Sequence, residues 1–442
     1  MRILILGINF SPELVGIGKY TGEMADWLAQ CGHEVRVVTA PPFNPASKVG
    51  KGYSAWRYRK EATSLEGHGT GSLTVFRCPL FVPRNPSTVK RIVHLASFAL
   101  TSLPLMLVQA YWRPSLVLVV EPTAFCIPGA AITARLAGAR SWLHIQDFEV
   151  DAGFAVGMLK SHLLREFIAV LERKLLLRFD RISTISSKML DRLGQKGFPG
   201  TRSVLFPNWV DTNRIFPTGV PSPLRGELGI PREAVVALYS GTMGRKQGLD
   251  ILAETAGHLA NSKTIQFVFC GDGPYRATLA SRTAPLPNVR WLPLQPMDRL
   301  NELMNLADIH LLPQCAEIAD LVMPSKLTGM LASGRPVVTT AAAGTQLALA
   351  VHECGLRVPA DDVAAFAGAV ARLAGNVALR TQLGQNARKC AELTLDKKKI
   401  LTLFEQEFCR VISSDLQRTV YLDPEKNISP DASWKSSVDT SS

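Results

Sequence analysis

Short apolar runs alternate with amphipathic stretches along most of the chain. Arg2–Gly7 is apolar almost throughout, as a central parallel strand covered on both faces requires. The apolar positions of Tyr20–Cys31 (Tyr20, Met24, Trp27, Leu28) recur at helical spacing, and Gly32 supplies a stop. His33–Thr39 is the next strand, so the first forty residues read as a βαβ unit. Residues 40–70 are polar and rich in Gly, Pro, Lys and Arg, and read as a long loop. Further strands are predicted at Ser72–Cys78, Leu116–Val120, Ser141–His144, Arg181–Ser186 and Ser203–Pro207. Helices are predicted over Ser87–Gln109, Pro128–Ala137, Lys160–Phe179 and 187–196.

A proline-rich stretch, Pro217–Pro223, then reads as a linker. Beyond it the rhythm resumes with strands at Val235–Ser240, Ile265–Cys270, Trp291–Pro293, Ile309–Pro313 and Val337–Thr340. Between and after them come helices at Leu249–Leu259, Asp298–Leu306, Val363–Ala374, Val377–Leu393 and Lys397–Ile412. This pattern predicts an α/β chain whose second half repeats the strand–helix rhythm of the first across the linker. The polar tail at 413–442 reads as disordered.

The candidate chemistry lies in loops that follow strands, where open α/β sheets take ligands. In Gly7–Tyr20, Gly16 and Gly18 sit before a helix and let backbone approach a phosphate, or simply serve a turn. Gly241–Gly248 combines glycines with Arg245 and Lys246, which suits a diphosphate. Gly271-Asp272-Gly273-Pro274 is a second such loop. Pro324-Ser325-Lys326-Leu327 opens a short helix that Ser325 can N-cap and Gly334 can end. A lysine in a first helical turn is poorly placed for helix stability, so Lys326 fits better beside an anion. The alternative is an ordinary αβ unit with a surface lysine. His144, Asp147, Glu149 and Asp151 cluster after one strand, either as site residues or as carboxylates favouring a helix start.

Charge and composition sharpen the picture. The net charge of +12 is uneven: residues 1–210 carry 25 Lys/Arg against 14 Asp/Glu, while residues 211–442 carry 24 against 23. The first half is therefore suited to an anionic partner or surface. Ile92–Trp112 contains no charged side chain and follows Arg84, Lys90 and Arg91. At ~20 residues it reaches the lower limit of a membrane span. Because βα units flank it, it reads as a crossover helix, either buried or with one face in the lipid interface. The eight cysteines form no CxxC pair and read as reduced thiols of a cytosolic protein. The N-terminus begins directly on a strand, with no signal peptide. Dispersed basic residues without interleaved aromatics argue against nucleic acid.

Taken together, Gly7–Tyr20 (GINFSPELVGIGKY), Tyr53–Tyr58 (YSAWRY), His144–Asp151 (HIQDFEVD), Phe206–Trp209 (FPNW), the KQGL of 246–249 and Pro324–Thr328 (PSKLT) resemble the retaining glycosyltransferases of family 4, over about residues 1–411. Within that family they are most similar to members that build colanic-acid-type exopolysaccharide, a group assigned to fucosyl transfer. The resemblance implies a GT-B fold of two Rossmann-like domains with parallel sheets facing across a cleft: an acceptor-binding first domain (1–212), a nucleotide-sugar-binding second domain (213–394) and a helix at 395–412 returning to the first. It implies a nucleotide diphosphate sugar such as GDP-fucose as donor, with no cofactor and no metal. It also implies a lipid-linked glycan acceptor and a cytoplasmic enzyme attached peripherally to the inner face of the membrane. By this likeness Gly16, Gly18, Gly241, Gly271, Gly273, Pro324, Ser325 and Leu327 line the donor site. Arg245, Lys246 and Lys326 then hold the leaving diphosphate, and Asp147, His144 and Glu149 orient sugar or acceptor hydroxyls.

The chain departs from the family pattern at several points. The paired glutamates fall near Leu321 and on Gly329, Gln247 stands at a usual lysine, and Thr242 stands at a usual arginine. Two alternatives stay open: a GT-B-like sugar-nucleotide epimerase, which would favour more carboxylates in the cleft, and a non-catalytic sugar-nucleotide or membrane-binding subunit, which the missing glutamates keep alive.

Overall fold

The computed structural model describes the chain except residues 14–15, 44–47, 64–70, 84–86, 122–123, 149–161, 245–246, 316–323 and 414–442. Two sheets account for all the strands among these residues. The first has eight strands: β1 (Arg2–Gly7), β2 (Glu34–Thr39), β3 (Arg59–Thr63), β4 (Ser72–Arg77), β5 (Leu116–Glu121), β6 (Arg140–Ile145), β7 (Arg181–Thr184) and β8 (Ser203–Leu205), in the order β3-β4-β2-β1-β5-β6-β7-β8. The second has six: β9 (Val235–Ser240), β10 (Ile265–Cys270), β11 (Val289–Leu292), β12 (Ile309–Leu312), β13 (Val337–Thr340) and β14 (Gly355–Val358), in the order β11-β10-β9-β12-β13-β14. In each sheet the strand order reverses beside the first strand, which opens a crevice at the carboxyl ends.

The helices of the first half are α1 (Gly16–Gln30), α2 (Thr88–Ala110), α3 (Ile127–Ala137), α4 (His162–Leu176) and α5 (Ser187–Gln195). Those of the second are α6 (Leu224–Glu227), α7 (Asp250–His258), α8 (Arg276–Thr283), α9 (Leu300–Leu306), α10 (Lys326–Ala332), α11 (Gln346–Val351), α12 (Val363–Gly375), α13 (Val377–Thr394) and α14 (Lys397–Ile412).

The apolar runs became central strands for the expected reason. β5, β9 and β10 are buried at every position, so each can only be covered on both faces. Two strands differ from the sequence reading. Residues 59–63, expected in a loop, pair antiparallel with β4 as an edge strand, with Lys60 opposite Phe76. Their charged side chains hide the strand pattern and also suit an edge. β14, not anticipated, is only half buried and has Gly355 against the backbone of Val337.

α14 closes the first half. Ile400, Leu401, Phe404, Phe408 and Val411 are buried in the same core as Ile3, Ile5, Trp142 and Phe206. Phe404 stacks on Phe206 and meets Trp142 edge-on at 5.0 Å. Lys397 pairs with Glu23 of α1 at 3.2 Å, and Trp209 Nε1 donates to the same carboxylate at 2.7 Å. The FPNW stretch is thus the socket for a helix arriving from the far end of the chain. Phe404→Ala removes the stacked ring and is expected to cost about 3–5 kcal/mol, read as a lower denaturant midpoint; a change below about 1 kcal/mol would contradict this socket.

Candidate functional site

The loops at the carboxyl ends of β9 and β10 meet. Gly241 N–H donates to Cys270 at 2.9 Å, Met243 N–H to Asp272 at 2.8 Å, and Tyr275 N–H to Met243 at 3.0 Å. Both loops depend on missing side chains. A Cβ on Gly271 would strike the Gly241 carbonyl, and one on Gly273 would strike the Met243 backbone. Gly241 and Gly273 also hold positive φ angles of 131° and 145°. At Gly241 the space a side chain would need is filled by the Lys326 side chain, so α10 enters the same corner.

Lys326 is the centre of this corner. Its ammonium donates to the Tyr239 hydroxyl at 2.7 Å and to the Thr242 carbonyl at 3.3 Å, and lies 4.4 Å from the Tyr239 ring centroid. Tyr239 in turn donates to Thr242 at 2.6 Å. No carboxylate among the described residues pairs with Lys326. Burial pushes its pKa down to about 8. A cation held by neutral oxygens and a ring face is one that gains when an anion arrives.

Around Lys326 the helix start differs from expectation. Ser325 already has helical φ and ψ of −60° and −19°, and its side chain makes no capping bond. Its carbonyl instead accepts from the Thr328 hydroxyl at 3.0 Å. The Pro324 carbonyl accepts from Leu327 N–H at 3.1 Å, and Leu327 itself is buried in the core of the second half. Gln247, at the usual lysine position, turns inward: its Oε1 accepts from Gly244 N–H at 2.9 Å and closes the loop. Arg245 and Lys246 lie outside the described residues.

The first half supplies the facing wall. Tyr20 of α1 is buried and set edge-on to Trp209 at 5.1 Å. Nearby, Ser187 at the start of α5 donates to Gln346 of α11 at 2.8 Å. Gly16 begins α1 with φ of 62° and has open space beside it. Gly18 has a different role from the one expected. It is buried, and a Cβ there would collide with Glu13. It makes room for that carboxylate rather than for a ligand.

Two residues that pattern reading missed organise this wall. Glu13 is buried; it accepts from Asn9 Nδ2 and from Phe43 N–H, each at 3.0 Å. Arg77 is 4% exposed. It donates to Ser11 at 2.6 Å and Ala40 at 3.2 Å, and pairs with Glu61 at 3.2 Å. Arg77 therefore ties the loops after β1 and β2 to edge strand β3. No spacing rule marks these residues, because their partners are distant in sequence.

The histidine expectation changes. His144 is fully buried: Nδ1 is 2.9 Å from Ser183 Oγ, Nε2 is 3.0 Å from Gln146, and Phe206 covers its ring. Burial pushes its pKa down to about 3, so it stays neutral through the physiological range. It braces β6 against β7 beneath α14 and has no face toward a sugar. Asp147 is partly buried and engaged in the loop after β6, while Glu149 and Asp151 lie outside the described residues.

Comparison with known proteins bears directly on this pair of facing units. A profile described as "Glycosyl transferase 4-like domain" matches residues 15–209, and one described as "Glycosyl transferases group 1" matches residues 234–376. The chain is 41% identical over 414 residues to the Escherichia coli (strain K12) protein named "Putative colanic acid biosynthesis glycosyl transferase WcaI", covering 91% of this chain and 98% of that one. The chain belongs to this glycosyltransferase family. A D-inositol 3-phosphate glycosyltransferase of Acidothermus cellulolyticus is 31% identical over 195 residues, 41% of this chain and 42% of that one. Among solved structures, sucrose-phosphate synthase of Thermosynechococcus elongatus superposes with a TM-score of 0.69 at 16% identity, covering 93% of this chain and all of that one. WaaG, a glycosyltransferase involved in lipopolysaccharide biosynthesis, superposes at 0.63 and 16% over the same shares. Anabaena HepE in complex with UDP and glucose gives 0.63 at 14%, covering 92% and 100%. At these identities the likeness shows the fold, which is GT-B.

The half-buried lysine makes a stability prediction. Its folded pKa of about 8 lies below its unfolded value of 10.5, so between these pH values the unfolded state binds more protons and stability rises with pH. Urea unfolding from pH 8 to pH 10 is expected to show a larger rise for the native sequence than for Lys326→Met. Equal rises would contradict the buried, unpaired ammonium.

Proposed function

We propose that this glycosyltransferase moves a sugar, with retention, from a nucleotide diphosphate sugar to a lipid-linked glycan in colanic-acid-like exopolysaccharide synthesis. The observation that carries the reading is the corner where Gly241, Gly271, Gly273 and Lys326 meet: close backbone and a cation with no carboxylate partner among the described residues are what a diphosphate requires. The name of the Escherichia coli relative supports the polysaccharide setting, and the nucleotide named with HepE supports the donor class. Within this reading GDP-fucose is the donor to test first.

Charge leaves the sugar with the diphosphate. Lys326, joined by Arg245 and Lys246 of the adjoining loop, stabilises that developing charge without a metal. Pro324 and Ser325 shape the pocket edge, Leu327 anchors α10 in the core behind it, and Gly16 leaves open space at the start of α1. A donor phosphate oxygen takes the acceptor hydroxyl proton as the new glycosidic bond forms on the face the diphosphate leaves. Asp147 and Glu149 orient hydroxyls in this scheme, while His144 braces β6 against β7.

The acceptor side fits the inner face of the membrane. Phe98, Met106, His94 and Gln109 hold one side of α2 in the fold, while Val89, Leu100 and Val108 are 70%, 71% and 57% exposed on it. Lys90 and Arg91 are exposed at its start. Val89–Ala110 has the length and apolarity to cross a bilayer, but its inner contacts favour a helix lying in the lipid interface, steered by the basic half.

Two experiments test the reading. Transfer assays with a panel of nucleotide sugars should show Lys326→Ala lowering kcat/KM by about 10²–10³-fold; near-normal turnover would remove the lysine from the chemistry. Sedimentation with anionic vesicles should be weakened in Leu100→Glu/Val108→Glu, with donor binding retained. Unchanged vesicle binding would take α2 out of the membrane contact.

A further inference from the structure

A second cationic cavity lies at the opposite edge of the second sheet. Its floor is Asp308, which precedes β12, and Arg335-Pro336, which precede β13; its wall is α13. The donor corner sits at the other ends of these strands. The cavity holds about 450 Å³ and is lined by Asp308, Arg335, Arg380, Arg388, Lys389 and Glu392 among others. That is the volume of a small-molecule site.

The two carboxylates are already committed. Asp308 accepts from Arg225 and, at 2.8 Å, from Val236 N–H. Glu392 accepts from Arg388 Nε at 2.7 Å. Arg388 spends its remaining donors on the carbonyls of Ile215 and Ala332, each at 2.8 Å, and of Thr212 at 3.0 Å. Arg380 donates to the carbonyls of Leu373 and Ala374 at 2.6 and 2.7 Å. That leaves Arg335, Arg380 and Lys389 facing one cavity with no carboxylate paired to any of them among the described residues.

Arg335 is the sharpest case. Its Nε is buried and has no acceptor among the described residues. Burial pushes the guanidinium pKa down, Asp308 opposes this, and the neighbouring Arg225 and Arg380 push it down further. The Nε is out of a ligand's reach, but the guanidinium as a whole lines the cavity with no carboxylate paired to it among the described residues, and an anion bound there would balance its charge.

We propose that this cavity is a second anion site, taking a small phosphate monoester of sugar-phosphate size, with Arg335, Arg380 and Lys389 around the phosphate. Its occupancy reaches the donor corner through one short helix. α10 carries Lys326 at its start, and its carboxyl end is gripped by Arg388 and followed by Gly334 on the cavity rim. The backbone of α13 touches that same turn, since a Cβ on Gly384 would collide with the Gly334 carbonyl.

The test uses the full chain, with glucose 6-phosphate as probe and chloride at matched ionic strength as control. Thermal stability should rise saturably with millimolar glucose 6-phosphate in the native sequence and in Lys326→Met, whose donor corner is altered. In Arg335→Gln and in Lys389→Glu the half-saturating concentration should increase at least about tenfold. Lys389 is exposed, so its variant decides the matter even if Arg335→Gln fails to fold. The proposal is overturned by no saturable response in the native sequence, by responses unchanged in Lys389→Glu, or by a response lost only in Lys326→Met. The last result would place the phosphate in the donor corner and leave that reading intact.

Discussion

The structure turns on a close approach. The backbones after β9 and β10 come together so tightly that only glycine fits at 241, 271 and 273, and the space left is occupied by one lysine side chain. Burying an ammonium among neutral oxygens is expensive, as its lowered pKa records. On the proposed function, that cost persists because the corner is built for a charge that arrives with the donor. The glycines, the Tyr239 hydroxyl and the Thr242 carbonyl hold the lysine where an incoming diphosphate can replace a weak partner by a strong one.

The other half is organised to hold a wall against this corner. Arg77 and Glu13 fasten the loops after the first strands, and Gly18 lets Glu13 pass beneath α1. α14 then returns from the second half and is clamped by Phe206, Trp142 and the Glu23–Lys397 pair. Among the described residues, Gln346 of the second half accepts from both Ser187 and the Lys188 N–H of the first.

Much of this was legible in the chain. Central strands such as β5 and β10 read directly as unbroken apolar runs, because covering both faces leaves no polar alternation. The loops at 241, 271 and 324 were legible through their glycines and their positions after strands. The edge strands β3 and β14 were not, since an edge tolerates charge and half-exposure and loses the pattern. His144 misled because a histidine beside carboxylates resembles a site, whereas its burial depends on Phe206 and on a helix more than two hundred residues later. Arg77 and Glu13 were invisible because their work is done on backbone groups that only folding brings near.

The central claim, that Lys326 is a part-neutral lysine waiting for a diphosphate, has one direct test. Calorimetric titration with GDP at pH 8, repeated in buffers of different ionisation enthalpy, measures protons taken up on binding. The account predicts uptake of roughly half a proton, from a group whose pKa lies near 8 before binding and rises after it, and its loss in Lys326→Met. Binding with no proton uptake, or with the same uptake in the variant, would contradict it.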